Sequence, residues 1–402
     1  MSETLFEKIE QAQERLNGII SKTPLVYSDV FSQESKNDVY IKPENFQKTG
    51  AFKIRGAYNK IASLTDEQRS KGVIASSAGN HAQGVAYAAT LLGCKSIIVM
   101  PTTTPLIKVN STKSYGAEVV LHGECYDDAY MKACQLQEEH DYTFVHPFND
   151  DDVIAGQGTI GIEILDELPD ADYVLVPVGG GGLISGIAAA IKAINPSVKI
   201  LGVEPEGAMA MKKSLEHKKI ITLTDVHTIA EGVAVKQVGD KCFKYNQAYV
   251  DGIISVTDYD IMEAFLLLLE KHKMISENAG ALALAGLKKI PVVGKKVVCL
   301  LSGGNIDVVT VSSMINKGLS SRGRIFCFSV DLPDVPGQLL AIASVLTNLN
   351  ANVIKLDHNQ FMNFDRFMNV QLQVTVETNS HEHIKEITTT LEGLGYGVTR
   401  VY

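Results

Sequence analysis

Tyr173-Val-Leu-Val-Pro-Val-Gly-Gly-Gly-Gly-Leu183 joins a short apolar run to four consecutive glycines, and an apolar segment of helical length, Leu183–Ile194, follows. The run Tyr173–Val178 reads as a buried strand and the glycines as the turn that opens a helix. Four glycines free the backbone to wrap a phosphate, and the helix dipole favours its charge. A dinucleotide site is the rival, because Glu204 follows the next strand. The G-x-G-x-x-G spacing is not met, however, since Gly180 and Gly182 lead to Ser185. One phosphate fits better, and close packing alone is a weak account of four glycines in a row.

The alternation extends outward in both directions. Ser96–Met100, Ala117–Leu121, Lys199–Val203 and Lys296–Leu301 read as further buried strands, and Tyr126–His140 as a helix. Strands alternating with helices predict an α/β fold of parallel sheets covered on both faces. The pattern changes near Lys317. Lys317-Gly-Leu-Ser-Ser-Arg-Gly-Arg324 reads as a flexible linker. Beyond it come a strand at Arg324–Asp331, a helix from Pro336-Gly337 to about Leu349, and a strand at Val353–His358. A third strand carries the alternation Met368, Val370, Leu372, Val374, Val376. Ile384, Ile387, Leu391 and Leu394 mark a second helix, and Gly397–Tyr402 closes with a strand. That order is βαββαβ, the ferredoxin-like split unit.

A chain of 402 residues predicts two or three domains, and 45% hydrophobic with 21% charged residues is a globular composition. A net charge of −9 without any basic cluster argues against nucleic acid as a partner. Apolar stretches such as Phe265–Leu269 are too short to span a bilayer, so no membrane is expected. Phe6, Ile9, Leu16 and Ile20 recur at helical spacing among charges, unlike a secretory signal, and a cytoplasmic location is expected. The six cysteines form no C-x-x-C pair and read as buried free thiols. His381-x-His383 reads as two solvated histidines, and no metal site is expected.

Three further stretches carry chemistry. Thr49-Gly-Ala-Phe-Lys-Ile-Arg-Gly-Ala57 places Lys53 at a helix start, behind a glycine loop and beside an aromatic ring. Desolvation there would let the amine lose its proton and act as nucleophile and base; alone, a solvated surface lysine is the commoner case. Ser76-Ser-Ala-Gly-Asn-His81 follows the strand Gly72–Ala75 and would offer N–H groups to a carboxylate, unless it is a plain strand-to-helix turn capped by serine. Ser302-Gly-Gly-Asn-Ile-Asp307 puts a hydroxyl at the carboxyl end of a strand, where ligands bind in such sheets, unless it is another tight turn.

Together, Lys53 in its F-K-x-R-G setting, the S-A-G-N-H loop, the tetraglycine and the S-G-G-N block resemble the threonine dehydratase family, also called threonine ammonia-lyases, in order and spacing. The stretch Val153-Ile-Ala-Gly-Gln-Gly-Thr159 is similar to that family too. The resemblance covers about residues 5–320. It implies the tryptophan-synthase-β-like fold of pyridoxal-phosphate enzymes, two open parallel-sheet subdomains, with the smaller near 72–149, inside a catalytic domain of residues 1–320. The tail, 324–402, resembles an ACT regulatory domain, with Asp334-Val-Pro-Gly337 at its first loop, as in the medium-sized members.

The resemblance implies that pyridoxal 5′-phosphate is the cofactor and Lys53 its Schiff-base lysine. It sets Phe52 against the cofactor ring, Asn80 on the phenolic oxygen and Ser302 on the pyridine nitrogen. Gly179, Gly180, Gly181, Gly182 and the Leu183 amide hold the phosphate. Ser77, Ala78, Gly79, Asn80 and His81 line the pocket for the substrate carboxylate. The implied reaction converts L-threonine to 2-oxobutanoate and ammonia, with the freed Lys53 amine removing the α-proton. The tail would bind an amino-acid effector, isoleucine or valine by analogy, and pairing of such tails implies a homo-oligomer. An L-serine dehydratase or serine racemase is the alternative. A non-catalytic amino-acid sensor is disfavoured by the intact Lys53, Asn80, tetraglycine and Ser302. Two departures stand out. Ala78 occupies the place of the serine that protonates the opposite face in serine racemases, and alanine has no proton to give. Glu204 matches a cation-binding glutamate of relatives, but Ala210 stands where they carry a second carboxylate. Asn278 replaces a proline of many members, with no account of its effect.

Overall fold

The computed structural model describes residues 3–359 and 369–402. The chain divides into two compact units, Met1–Ile306 and Asp307–Tyr402. The first holds two sheets. The larger runs Val26–Tyr27, Asp38–Pro43, Lys296–Leu301, Tyr173–Pro177, Lys199–Pro205, Gly252–Val256 in spatial order. Only the first pair is antiparallel. The smaller runs Glu118–Leu121, Ser96–Met100, Val73–Ser76, Thr143–Phe144, all parallel. The expected parallel α/β architecture is therefore present, with strand ends shifted by a residue or two.

This topology gathers the chemistry. Asp38–Pro43, Lys296–Leu301 and Tyr173–Pro177 are parallel neighbours, so their carboxyl ends share one edge. The chain leaves those ends toward Lys53, into Ser302 and into the tetraglycine respectively. Val73–Ser76, in the smaller sheet, leads into the Ser77–His81 loop. Four segments scattered over 250 residues of sequence meet because parallel strands all deliver their loops to one side.

Lys53 itself begins the helix Lys53–Ala62, which lies between the helices Asn80–Leu91 and Asp151–Glu167. A Cβ at Gly156 would sit 2.5 Å from the Arg55 carbonyl oxygen, so the close approach of these helices requires glycine there. That accounts for part of the Val153–Thr159 pattern. Arg55 accounts for more. Its fully buried guanidinium donates to both oxygens of Glu44 at 2.8 Å, to both of Glu163 at 2.5 and 2.9 Å, and to the Thr159 hydroxyl at 3.0 Å. Burial disfavours its charge, but Glu44 and Glu163 more than compensate and hold its pKa above the usual value. Lys42, also buried, joins through Glu163 at 2.8 Å and Glu167 at 3.4 Å.

The second unit contains an antiparallel sheet in the order Asn352–Asn359, Asn369–Glu377, Ile325–Pro333, Val398–Arg400. Helices Gln338–Asn348 and His381–Gly393 complete the expected βαββαβ order. Phe326, Phe328, Val330 and Leu332 face Val370, Leu372, Val374 and Val376 and the buried sides of both helices in one core. Period-two alternation predicts this because one sheet face is covered. Met368, assigned by that alternation, lies outside the described residues.

Three expectations need correction. The stretch from Lys317 is no linker up to Ser321: it ends the helix Val308–Ser321, which buries Met314, Gly318 and Ser320 and is capped by Asp307. Its serines and glycine hid a helical spacing. His383 is buried, not solvated; its Nε2 bonds the Leu349 carbonyl at 2.8 Å and its Nδ1 accepts from the Asn379 amide, while His381 is exposed. Cys125 is exposed and Cys134 half-buried, whereas Cys94, Cys242, Cys299 and Cys327 are buried thiols. No helix among the described residues is long and apolar enough to cross a membrane.

Candidate active site

Lys53 stands in the first turn of its helix with Phe52 as the preceding cap residue. Its ammonium lies 5.3 Å from the Phe52 ring centroid and donates to the Pro147 carbonyl at 2.7 Å. Burial pulls its pKa down to about 8, against the opposing influence of Cys242 and Glu277. An amine so placed is neutral far more often than a surface lysine, which is what a nucleophile or base needs.

The tetraglycine links the strand Tyr173–Pro177 to the helix Gly182–Ile194. Gly181 has φ +95°, a left-handed conformation that favours glycine. Behind the turn the Phe148 ring occupies the space that a Cβ on Gly180 would need. The backbone is thus left bare, and the first N–H groups of a thirteen-residue helix have no helical acceptors. Such a turn suits a phosphate.

Ser77, Ala78, Gly79 and Asn80 form a half-buried loop in which the Gly79 amide donates to the Ser77 hydroxyl at 3.3 Å. Gly79 caps the helix Asn80–Leu91. His81 is turned inward: its Nε2 bonds the Val145 carbonyl at 2.7 Å, and burial with nearby Lys53 lowers its pKa to about 3. The imidazole is therefore neutral, and His81 can serve a ligand through its backbone amide rather than its ring. Ser302 is buried, and its carbonyl accepts the Phe52 amide at 3.1 Å, which ties its loop to the Lys53 loop.

Two elements had no assigned role in the sequence. Glu277 accepts from Asn80 Nδ2 at 2.7 Å. Burial pushes its carboxyl up to about 7, while Asn80, Lys108 and Lys53 act in the opposite direction. Its place in Glu277-Asn-Ala-Gly280 was visible, but nothing local marked the carboxylate as inward-facing. The segment Val145–Asn149 follows the strand Thr143–Phe144 and supplies the carbonyls that hold His81 and Lys53 and the ring behind Gly180. Its position after a parallel strand was the available signal, obscured because that strand has only two residues. Both Glu204 oxygens are committed to the Met211 and Lys212 amides, at 2.8 and 2.9 Å, so that carboxylate acts as a helix cap beside Ala210.

A model of pyridoxal-phosphate dependent enzymes matches residues 16–303. The chain belongs to that family. It is 46% identical over 394 residues to an L-threonine ammonia-lyase of Thermotoga maritima, covering 98% of each chain. Among solved structures, the processed form of threonine deaminase isoform 2 from Solanum lycopersicum aligns with TM-score 0.75 and 39% identity, over 78% of this chain and 87% of that one. Maize serine racemase aligns with TM-score 0.74 and 38% identity, over 79% of this chain and 98% of that one.

The residues fit the family's cofactor. A half-buried amine of lowered pKa, a bare glycine turn at a helix start and a buried serine at a strand end supply what an aldehyde, a phosphate and a pyridine nitrogen require. One consequence is testable. Only neutral Lys53 can attack the cofactor's aldehyde, and at pH 7 about a tenth of it is neutral, one unit below its midpoint. The rate at which the visible absorption band grows, after pyridoxal phosphate is added to stripped protein, should rise about tenfold per pH unit and level off above about pH 8. A rate independent of pH between about 6 and 8 would contradict the lowered pKa.

Proposed function

We propose that this enzyme converts L-threonine to 2-oxobutanoate and ammonia, with Lys53 as Schiff-base lysine and general base. The observation that carries the reading is the half-buried Lys53 amine held at 2.7 Å by the Pro147 carbonyl, in a pocket where burial lowers its pKa. Bound pyridoxal phosphate supplies the electron-withdrawing ring that acidifies the substrate α-carbon. Gly179 to Gly182 and the Leu183 amide hold its phosphate, Ser302 its pyridine nitrogen and Asn80 its phenolic oxygen, with Phe52 against the ring. The amides of the Ser77–His81 loop bind the substrate carboxylate. The Lys53 amine, once free, would take up the substrate α-proton, and the Pro147 carbonyl, 2.7 Å from it, would keep the amine in place. The β-hydroxyl would leave as water after taking up a proton, and aminocrotonate would be freed as the Lys53 amine returns to the cofactor, then hydrolyse to 2-oxobutanoate and ammonia.

We divide the chain into a catalytic part, 1–320, and a regulatory part, 324–402. A cleft of ≈ 300 Å³ in the second unit is lined by Asp334, Val335, Pro336 and Gly337, with His358 and Val370. The cleft holds the Asp334-Val-Pro-Gly337 loop that the resemblance singles out, and we assign isoleucine or valine to it as effector. A cytoplasmic homo-oligomer is the assembly proposed.

The test is keto-acid formation by the loaded enzyme from L-threonine, L-serine and D-serine, with and without isoleucine and valine. L-Threonine should be turned over. L-Serine should follow within roughly two orders of magnitude, since one methyl is worth only about 1–3 kcal/mol. D-Serine formation from L-serine should be weak, because Ala78 offers no proton. Absence of 2-oxobutanoate would overturn the substrate, and rates indifferent to both effectors would overturn the regulation.

A further inference from the structure

Asn305 lies beyond Ser302 in the loop that follows the strand Lys296–Leu301. Its Nδ2 donates to two carbonyl oxygens, Thr49 O at 2.7 Å and Asn80 Oδ1 at 2.9 Å. Only the amino end of an amide can satisfy two such acceptors, so the orientation of Asn305 is forced by its partners. The backbone around it is equally constrained: Gly50 has φ +72° beside the Asn305 amide, and the Gly304 amide donates to the Gly50 carbonyl at 2.8 Å.

Asn80 inherits that constraint. With its carbonyl oxygen taken by Asn305, its amino group points to Glu277 Oε1, 2.7 Å away. Glu277 is fixed in turn, because its amide donates to the Gly303 carbonyl at 3.0 Å and its carboxylate lies over Gly303, where a Cβ would come within 2.7 Å of Oε1. The charged groups that act on this carboxyl are Lys53, Lys108 and Glu231, and the last two pair with each other at 3.0 Å. Asn305–Asn80–Glu277 is therefore one directed chain, linking the Lys53, Asn80, Glu277 and Ser302 loops. An amino group has two N–H bonds, and Glu277 uses one.

We propose that Asn305 and Glu277 are positioning residues that lock the Asn80 amide in one orientation, its carbonyl toward Asn305 and its second N–H left for the phenolic oxygen of the bound cofactor. The inference rests on the role proposed above for Asn80. An amide free to turn can bring its carbonyl against that oxygen, which places two acceptors face to face. The locked amide always presents a donor.

The experiment uses the full chain loaded with pyridoxal phosphate and reads two things: the pH midpoint of the visible absorption band, and the dissociation constant of the cofactor. Asn305→Asp keeps the side-chain size but has no N–H to give, so the Asn80 amino group turns toward it and its carbonyl faces the cofactor. The midpoint should move by about one pH unit and the dissociation constant rise about tenfold, the loss expected for one hydrogen bond to a charged oxygen. Glu277→Leu should shift both in the same way, while Glu277→Gln, which retains an accepting oxygen, should stay within about twofold of the parent. Asn80→Ala serves as reference. If it leaves midpoint and affinity unmoved, the role of Asn80 falls and the inference with it. If Asn80→Ala shifts both but Asn305→Asp and Glu277→Leu do not, Asn80 keeps its role and the lock alone is refuted. Should Glu277→Leu fail to fold, Asn305→Asp decides the matter by itself.

Discussion

Lys53→Ala is expected to lower 2-oxobutanoate formation from L-threonine by at least about 10³-fold, because in the roles proposed for it one substitution removes both the covalent anchor and the base. The loss has a structural origin. The Lys53 ammonium is the group that the Pro147 carbonyl holds at 2.7 Å, and alanine leaves that carbonyl with no amine from position 53. The variant should also lack the visible absorption band of the parent, since alanine cannot condense with an aldehyde. It should nevertheless fold, because the deletion removes a charge that burial disfavours rather than a packed apolar group. Keto-acid assay, absorption spectrum and thermal unfolding together check the claim. A folded variant retaining more than about a tenth of the parent rate, a barrier change near 1.4 kcal/mol, would remove Lys53 from the chemistry.

Arg55→Leu is expected to destabilise the catalytic unit by about 3–5 kcal/mol, the cost of stripping a buried ion pair of one partner. Arg55 and Glu44 are each fully buried, so little solvent is present to take over from the guanidinium. Glu163, held below its usual pKa despite burial by Arg55 and then Lys42, would lose the first of these. Arg55→Lys should recover only part of the loss, because an ammonium cannot make two forked contacts at once. Replacing Glu44 by glutamine in the Arg55→Leu background should restore some stability by removing the stranded charge. The denaturation midpoint in urea measures all three. A loss below about 1 kcal/mol would mean that the network is solvated in solution and contributes as an ordinary surface pair does.

How far the sequence foretold this depended on whether a signal was local. Ser96–Met100 and Lys296–Leu301 appear with their expected bounds because Ile97–Met100 and Val297–Leu301 are unbroken apolar runs buried on both faces. The strand Asp38–Pro43 was not recognised: its charged Lys42 and terminal Pro43 disguise a buried member of the sheet, and the partners that allow that burial lie some 120 residues away. The same asymmetry holds in the site. Lys53, the glycine run and Ser302 announce themselves through neighbours in sequence. Glu277 and Asn305 acquire meaning only when the strand Lys296–Leu301 brings their loops beside Asn80, a relation no periodicity encodes. His383 was misread for a related reason, since the carbonyl that receives its ring belongs to Leu349 at the end of another helix.

The place of the strand Lys296–Leu301 also governs when the protein can become an enzyme. It is inserted between Asp38–Pro43 and Tyr173–Pro177, both made long before it. Until residue 301 leaves the ribosome, those two strands have no common neighbour, and each exposes a row of unpaired N–H and C=O groups. The growing chain must keep two open sheet edges apart through the synthesis of more than a hundred residues, a non-local closure that is slow and prone to mispairing. The smaller sheet lies wholly within residues 73–144 and faces no such delay. It is the part expected to reach its final fold first, waiting with Asn80 in place for the partners that the last strand of the large sheet delivers.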